Sequence, residues 1–273
     1  MLAAMNRTVR TLFALVALLA CGGCAKSSAP STTAPPPASA LTAQGRVGQA
    51  VTLPKDASGY LALPPGQGKH GAIVVIQEWW GLNDWIRANT DRFAQQGYVA
   101  LAVDLYRGKS TSSPDEAHEL MRGMPEDRAM GDLETAFQWL AARPDVDPGR
   151  IGSIGWCMGG GYSLALAVEE PKLRAAVVNY GRLVTAPEKI AKIHAALLGN
   201  FGGQDRGIEA ADVRAFETQL KKTDTDVDIK IYDADGHAFM NPNNAKGYDE
   251  ASAKDAWARI DAFFTRTLGA AAK

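Results

Sequence analysis

Apolar and polar positions along residues 47–268 fall into two alternating rhythms. Ala72, Ile73, Val74, Val75 and Ile76 form a run that is apolar on both faces, as a buried parallel strand requires. Residues 98–103, 150–154, 175–180 and 195–200 repeat that character, and 227–232 alternates apolar with polar as a strand does. Between them lie helical periods. Trp85, Asn89, Phe93 and Gln96 mark successive turns of 83–96 before Gly97, and Met130, Leu133, Phe137 and Leu140 share one stripe of 127–142. An apolar helix starts near Gly160, and 210–221 and 254–268 read as amphipathic helices. Repeated β-α units predict an α/β fold: a mainly parallel central sheet with helices on both faces and ligands beyond the carboxyl ends of the strands. No internal repeat and no second domain is visible.

The N-terminus breaks this pattern. Arg7 and Arg10 precede an apolar run from Leu12 to Ala20. That run is shorter than the roughly 20 residues a permanent bilayer span needs, so residues 1–21 read as an export signal. Leu18, Leu19, Ala20 and Cys21 resemble a bacterial lipoprotein box, with Cys21 as the lipidation site. An ordinary cleaved signal is the alternative, and Cys24 offers a competing alignment. Residues 22–46, rich in Ser, Thr, Ala and Pro, read as a tether, and 47–273 as one globular domain. The expected location is therefore exported: periplasmic, or anchored at the outer membrane through a lipid.

A formal net charge of −1 gives no support for nucleic-acid binding, and membrane contact is expected only through the N-terminal anchor. Of the three cysteines, Cys157 alone belongs to the domain, so it was not retained for an internal disulfide. The four histidines are scattered, and neither a metal nor an organic cofactor is expected. A monomer is expected.

Cys157 sits in Gly155-Trp156-Cys157-Met158-Gly159, between a strand and a helix. That G-x-nucleophile-x-G pattern describes a sharp elbow in which Cβ-free flanks let the backbone fold tightly. The helix start behind it favours negative charge on the sulfur. The competing reading is a buried small hydrophobe. A thiol nucleophile needs a base and a group to orient it. His237 leaves the carboxyl end of the 227–232 strand, on the edge that carries the elbow, whereas His70, His118 and His194 do not. Asp205 emerges at the same edge after 195–201; Asp233 and Asp235 compete with it. Cys157, Asp205 and His237 give the chain order nucleophile, acid, histidine of the α/β-hydrolases.

Gln77-Glu78-Trp79-Trp80-Gly81, Asp104-Leu105-Tyr106-Arg107, the elbow, Gly203-Gln204-Asp205 and Gly236-His237-Ala238-Phe239 occur in that order. Together they resemble the dienelactone hydrolase (carboxymethylenebutenolidase) family of the α/β-hydrolase superfamily. The resemblance implies an α/β-hydrolase fold and a Cys-His-Asp triad. It implies that Glu78 helps to activate the thiol when substrate binds, and that the backbone N–H groups of Met158 and Trp79 form an oxyanion hole. It also implies that Arg107 holds a substrate carboxylate; a surface salt bridge is the alternative reading of that arginine. The family's founding enzymes carry a second substrate-binding arginine four residues beyond the histidine; here that position is Asn241. A neutral or singly anchored ester or lactone becomes the expected substrate. Trp79, Trp80 and Trp85 either line an apolar pocket or belong to the core.

The expected activity is hydrolysis of a small-molecule lactone or carboxylic ester through a thioester acyl-enzyme. The rival is an exported binding lipoprotein on an inactive hydrolase scaffold, which would have lost a triad position. Thiol redox chemistry would call for a resolving cysteine nearby, and Cys24 is distant in the chain.

Overall fold

The computed structural model describes residues 47–269. The expectations placed on residues 1–46, including the signal, Cys21 and the tether, lie outside the described residues.

The strands form one eight-stranded sheet in the order β1-β2-β4-β3-β5-β6-β7-β8. Strands β3 (His70–Ile76), β4 (Val99–Val103), β5 (Val146–Trp156), β6 (Ala175–Asn179), β7 (Ala196–Gly202) and β8 (Val227–Tyr232) run parallel. β1 (Gln49–Thr52) and β2 (Ser58–Ala62) add an antiparallel edge that the apolar pattern does not predict. β1 is short and largely exposed, so it carries no buried run to read.

Alternation along the strands explains why both faces are covered. In β3, Val74 and Ile76 join the core formed with α3 (Glu126–Ala141), α4 (Met158–Glu169) and α6 (Ala210–Leu220). Ile73 and Val75 face the second core, with α1 (Asp84–Gln95) and α7 (Glu250–Leu268). Opposite side chains on a pleated strand therefore feed two separate apolar layers, the arrangement of a doubly covered parallel sheet. The mainly parallel sheet with helices on both faces is the expected α/β-hydrolase architecture.

Two short helices, α2 (Pro114–Arg122) and α5 (Pro187–Ile190), escape the periodicity. In α2 only Ala117 is buried, so there is no apolar stripe to recognise. α7 begins before residue 254, where Asp249 accepts from the Ser252 N–H at 2.8 Å and caps a first turn without apolar spacing.

Candidate active site

The elbow is a consequence of its glycines. A Cβ on Gly155 would lie 2.0 Å from the Gly159 carbonyl oxygen, and one on Gly159 would lie 2.4 Å from that of Ile76. A Cβ on Gly160 would meet the Asn179 carbonyl at 2.6 Å. Any side chain at these positions would push α4 off the ends of β3, β5 and β6. The tight approach forces Cys157 to φ 54°, ψ −117°, a conformation that ordinary residues avoid. Its N–H donates to Asn179 O at 3.0 Å, tying the strained residue to β6. The thiol is half-buried and lines a cleft of about 1010 Å³ rather than the closed core.

His237 and Asp205 arrive from the loops after β8 and β7. The imidazole Nδ1 lies 2.6 Å from Asp205 Oδ2. Asp205 Oδ1 accepts from the Gly207 and Ile208 N–H groups at 2.8 and 3.2 Å, which fixes the carboxylate. Burial pushes the Asp205 pKa up, but its bonds to His237 and the two N–H groups win and hold it below the usual carboxylate value. Burial opposes charge on His237 as well. Hydrogen bonding to Asp205, and then the proximity of Cys157, outweigh that and raise the imidazole to about 10. Asp205 with Cys157 thus favours an imidazolium. Asp233 and Asp235 do not replace Asp205: the hydrogen bond to the imidazole comes from Asp205.

Glu78 leaves the carboxyl end of β3 and is only 1 % exposed. Its Oε2 accepts from Asn241 Nδ2 at 2.5 Å, while Oε1 has no hydrogen-bond partner among the described residues. Burial raises its pKa to about 7, against the opposing effects of the Asn241 hydrogen bond and the His237 charge. The Asn241 amide cannot flip freely, because its Oδ1 accepts from the Asn243 N–H at 2.9 Å.

Ile76 pairs with Gly155, so Trp79 and Met158 leave adjacent strands at equal distances beyond that pair. Met158 is the first residue of α4, where an N–H has no intrahelical acceptor. Trp79, Trp80 and Trp85 all line the cleft, with the first two rings 4.6 Å apart; Trp85 also packs on Trp156 in the core. Asn241 lines the cleft too.

Arg107 is not brought to this cleft. Its guanidinium donates to Asp132 Oδ1 at 2.8 Å and to the Asp56 carbonyl, the salt-bridge alternative rather than a substrate contact. The reason is the partner: Asp132 is 5 % exposed on α3 and demands a cation.

Tyr180 is the site residue that sequence reasoning passed over. Its ring lies 5.3 Å from that of His237, and its position directly after β6 at the carboxyl edge was the available signal. Met121 of α2 and Lys246 also line the cleft.

With this geometry in place, the comparisons with known proteins fit. The model of the dienelactone hydrolase family matches residues 57–268. A protein of Aquifex pyrophilus named usf is 33 % identical over 233 residues, covering 81 % of this chain and all of its own length. A candidate carboxymethylenebutenolidase of Salmonella typhimurium is 32 % identical over 260 residues, 88 % of this chain and 96 % of that one. The crystal structure of a candidate dienelactone hydrolase from Klebsiella pneumoniae subsp. pneumoniae superposes with a TM-score of 0.72 at 29 % identity, covering 81 % of this chain and 98 % of its own. Fold, site geometry and relatives agree, and the chain is a hydrolase belonging to the dienelactone hydrolase family.

Proposed function

We propose that this hydrolase cleaves a small-molecule lactone or carboxylic ester by two-step acyl transfer at Cys157. The observation that carries the reading is the joint convergence of Cys157, His237 and the 2.6 Å Asp205–His237 contact on one open cleft. The thiolate, paired with the His237 imidazolium and aided by Glu78, attacks the carbonyl carbon. The oxyanion is received by the Met158 and Trp79 N–H groups, and the ring or ester C–O bond breaks to leave a thioester. Acylation removes the sulfur's charge, one of the causes that raise the imidazole pKa. The imidazole then releases its proton to the leaving oxygen more readily and, once neutral, activates water to free the acid.

The substrate's reacting part is uncharged. Asn241 offers a neutral amide where the family's founding enzymes have an arginine, and Arg107 is engaged by Asp132. The tryptophan-lined wall suits an apolar acyl or alcohol group. The inactive-scaffold alternative gains no support, since all three triad positions keep their chemistry.

Purified protein should turn over p-nitrophenyl acetate, and Cys157→Ala should abolish that turnover. Undiminished hydrolysis by the variant would exclude the mechanism. For residues 1–21 the proposal is export with acylation of Cys21, supported by the order of basic, apolar and cysteine positions. Loss of metabolic palmitate labelling in Cys21→Ser is the expected result; a label that persists would overturn the assignment.

A further inference from the structure

The cleft offers more than a reacting carbonyl needs. At about 1010 Å³ it stands at the top of the range of roughly 300–1,000 Å³ that encloses drug-sized ligands, so a small lactone would occupy only part of it. The charges along its wall are uneven. Asp84 and Arg87, three residues apart on α1, face each other at 3.6 Å. Glu78 is buried and bonded to Asn241. Lys246 is exposed on the same cleft and forms no ion pair or hydrogen bond among the described residues. The backbone that carries it is folded onto the reacting centre. Asn241 Oδ1 accepts from the Asn243 N–H at 2.9 Å, and Asn244 Nδ2 donates to the His237 carbonyl at 3.2 Å. The Asn244 carbonyl then accepts from the Gly247 and Tyr248 N–H groups at 3.0 and 2.9 Å, which closes the turn around Lys246. A Cβ on Gly247 would come within 2.5 Å of Asn244 Nδ2, so this close turn depends on the missing side chain. Asn241 and His237, which shape the reacting centre, thus also set where the lysine stands.

We propose that Lys246 is a specificity-determining residue that binds a carboxylate remote from the scissile carbonyl. The substrate is then an ester or lactone with an uncharged reacting part and an anionic far end. This deepens the proposed hydrolytic function and rests on it. Asn241, 2 % exposed, leaves the inner cleft with a neutral amide, whereas Lys246 supplies a cation on its solvent side. An ammonium group on a flexible four-carbon stem can follow a carboxylate at the end of a chain, where an arginine fork would demand one planar geometry. A contact so far from the bond that breaks is made equally in the ground state and the transition state. It therefore acts on KM rather than on kcat.

Two ester pairs test it. Mono-p-nitrophenyl adipate against methyl p-nitrophenyl adipate places the carboxylate on the acyl side; 4-acetoxybenzoate against methyl 4-acetoxybenzoate places it on the alcohol side. Wild type should favour the anionic member of at least one pair in kcat/KM, and added sodium chloride should erode that preference. Lys246→Met should reduce the preference by about threefold to tenfold, through KM, because an exposed ion pair is worth little more. Lys246→Glu should reduce it further, and Lys246→Arg should keep it within about threefold of wild type. A merely structural lysine would not give a loss that follows the sign of the charge and is confined to the anionic ester. Absence of any anion preference in both pairs, or a preference that survives Lys246→Met and Lys246→Glu, would overturn the proposal. Failure of the hydrolytic reading is separately visible, as turnover of the uncharged esters that survives Cys157→Ala.

Discussion

Asn241 and Glu78 are joined by a 2.5 Å hydrogen bond between an amide and a carboxyl group that are 2 % and 1 % exposed. The donor is neutral, so the bond orients Glu78 without cancelling its charge. A buried carboxyl with no cation bonded to it resists ionisation, which is why burial prevails and Glu78 titrates near 7. Near neutrality the acid is divided between its two forms. It can therefore accept or return a proton with little driving force, as a group serving a thiol at that pH should.

A stability prediction follows from the sign of that shift. Glu78 has a folded-state pKa raised from 4.5 to about 7, so the native state holds a proton that the unfolded chain has released. Its favourable contribution is complete below 4.5 and disappears as pH rises through about 7. The penalty above that is about 3 kcal/mol. Glu78→Gln should accordingly raise Tm at pH 9, leave it nearly unchanged at pH 4, and lower kcat. Thermal melts at the two pH values check it; an equal shift at both would contradict the assigned titration.

Much of this site was legible because strand ends are legible. Cys157 and Asp205 each follow a strand whose apolar run is plain, His237 follows one whose alternation is plain, and a parallel sheet sends all three to one edge. Arg107 keeps two readings in the sequence because its partner Asp132 lies on a different element, α3, and nothing local announces a carboxylate that is 5 % exposed. Tyr180 was passed over for the opposite reason. An aromatic ending an apolar strand reads as core, and its ring is core; only the unpaired hydroxyl distinguishes it. β1 and α2 lack buried stripes, and composition offers no substitute for one.

The elbow glycines should tolerate substitution in proportion to what a Cβ would meet. On Gly159 it would press on the Ile76 and Gln77 carbonyl oxygens at 2.4 and 2.5 Å, backbone atoms at the end of β3 that cannot easily yield. On Gly161 it would lie 3.2 Å from Arg182 Cβ, on a loop that can give slightly. Gly159→Ala should cost about 3 kcal/mol or more and abolish turnover, while Gly161→Ala should stay within about 1 kcal/mol of wild type. Urea denaturation of the pair provides the measurement. Equal costs would mean that the elbow is not set by its approach to β3.

Arg107→Ala should behave as a structural lesion. The lost ion pair with Asp132 has a 32 % exposed guanidinium, and Arg128 remains 3.3 Å from the same carboxylate, so the cost is about 1 kcal/mol. Esters with and without a free carboxylate should lose kcat/KM by the same factor. A selective loss for the carboxylate-bearing ester would show that substrate reaches Arg107 after all.

Position 241 should set both the charge of Glu78 and the choice of substrate. Asn241→Leu removes the donor, leaving Glu78 with neither oxygen bonded. Its pKa should rise further, and the neutral limb of kcat should move to higher pH. Asn241→Arg supplies a cation, which favours the ionised carboxylate and moves that limb to lower pH. The added guanidinium also offers a planar carboxylate a partner in the cleft that Asn241 lines. Asn241→Arg should therefore raise the ratio of kcat/KM for a carboxylate-bearing lactone over an uncharged one by about tenfold or more, mainly through KM. Steady-state kinetics with the two lactones across pH separates the two effects. Limbs that move in the same direction in both variants would show that the Asn241 amide does not govern the ionisation of Glu78.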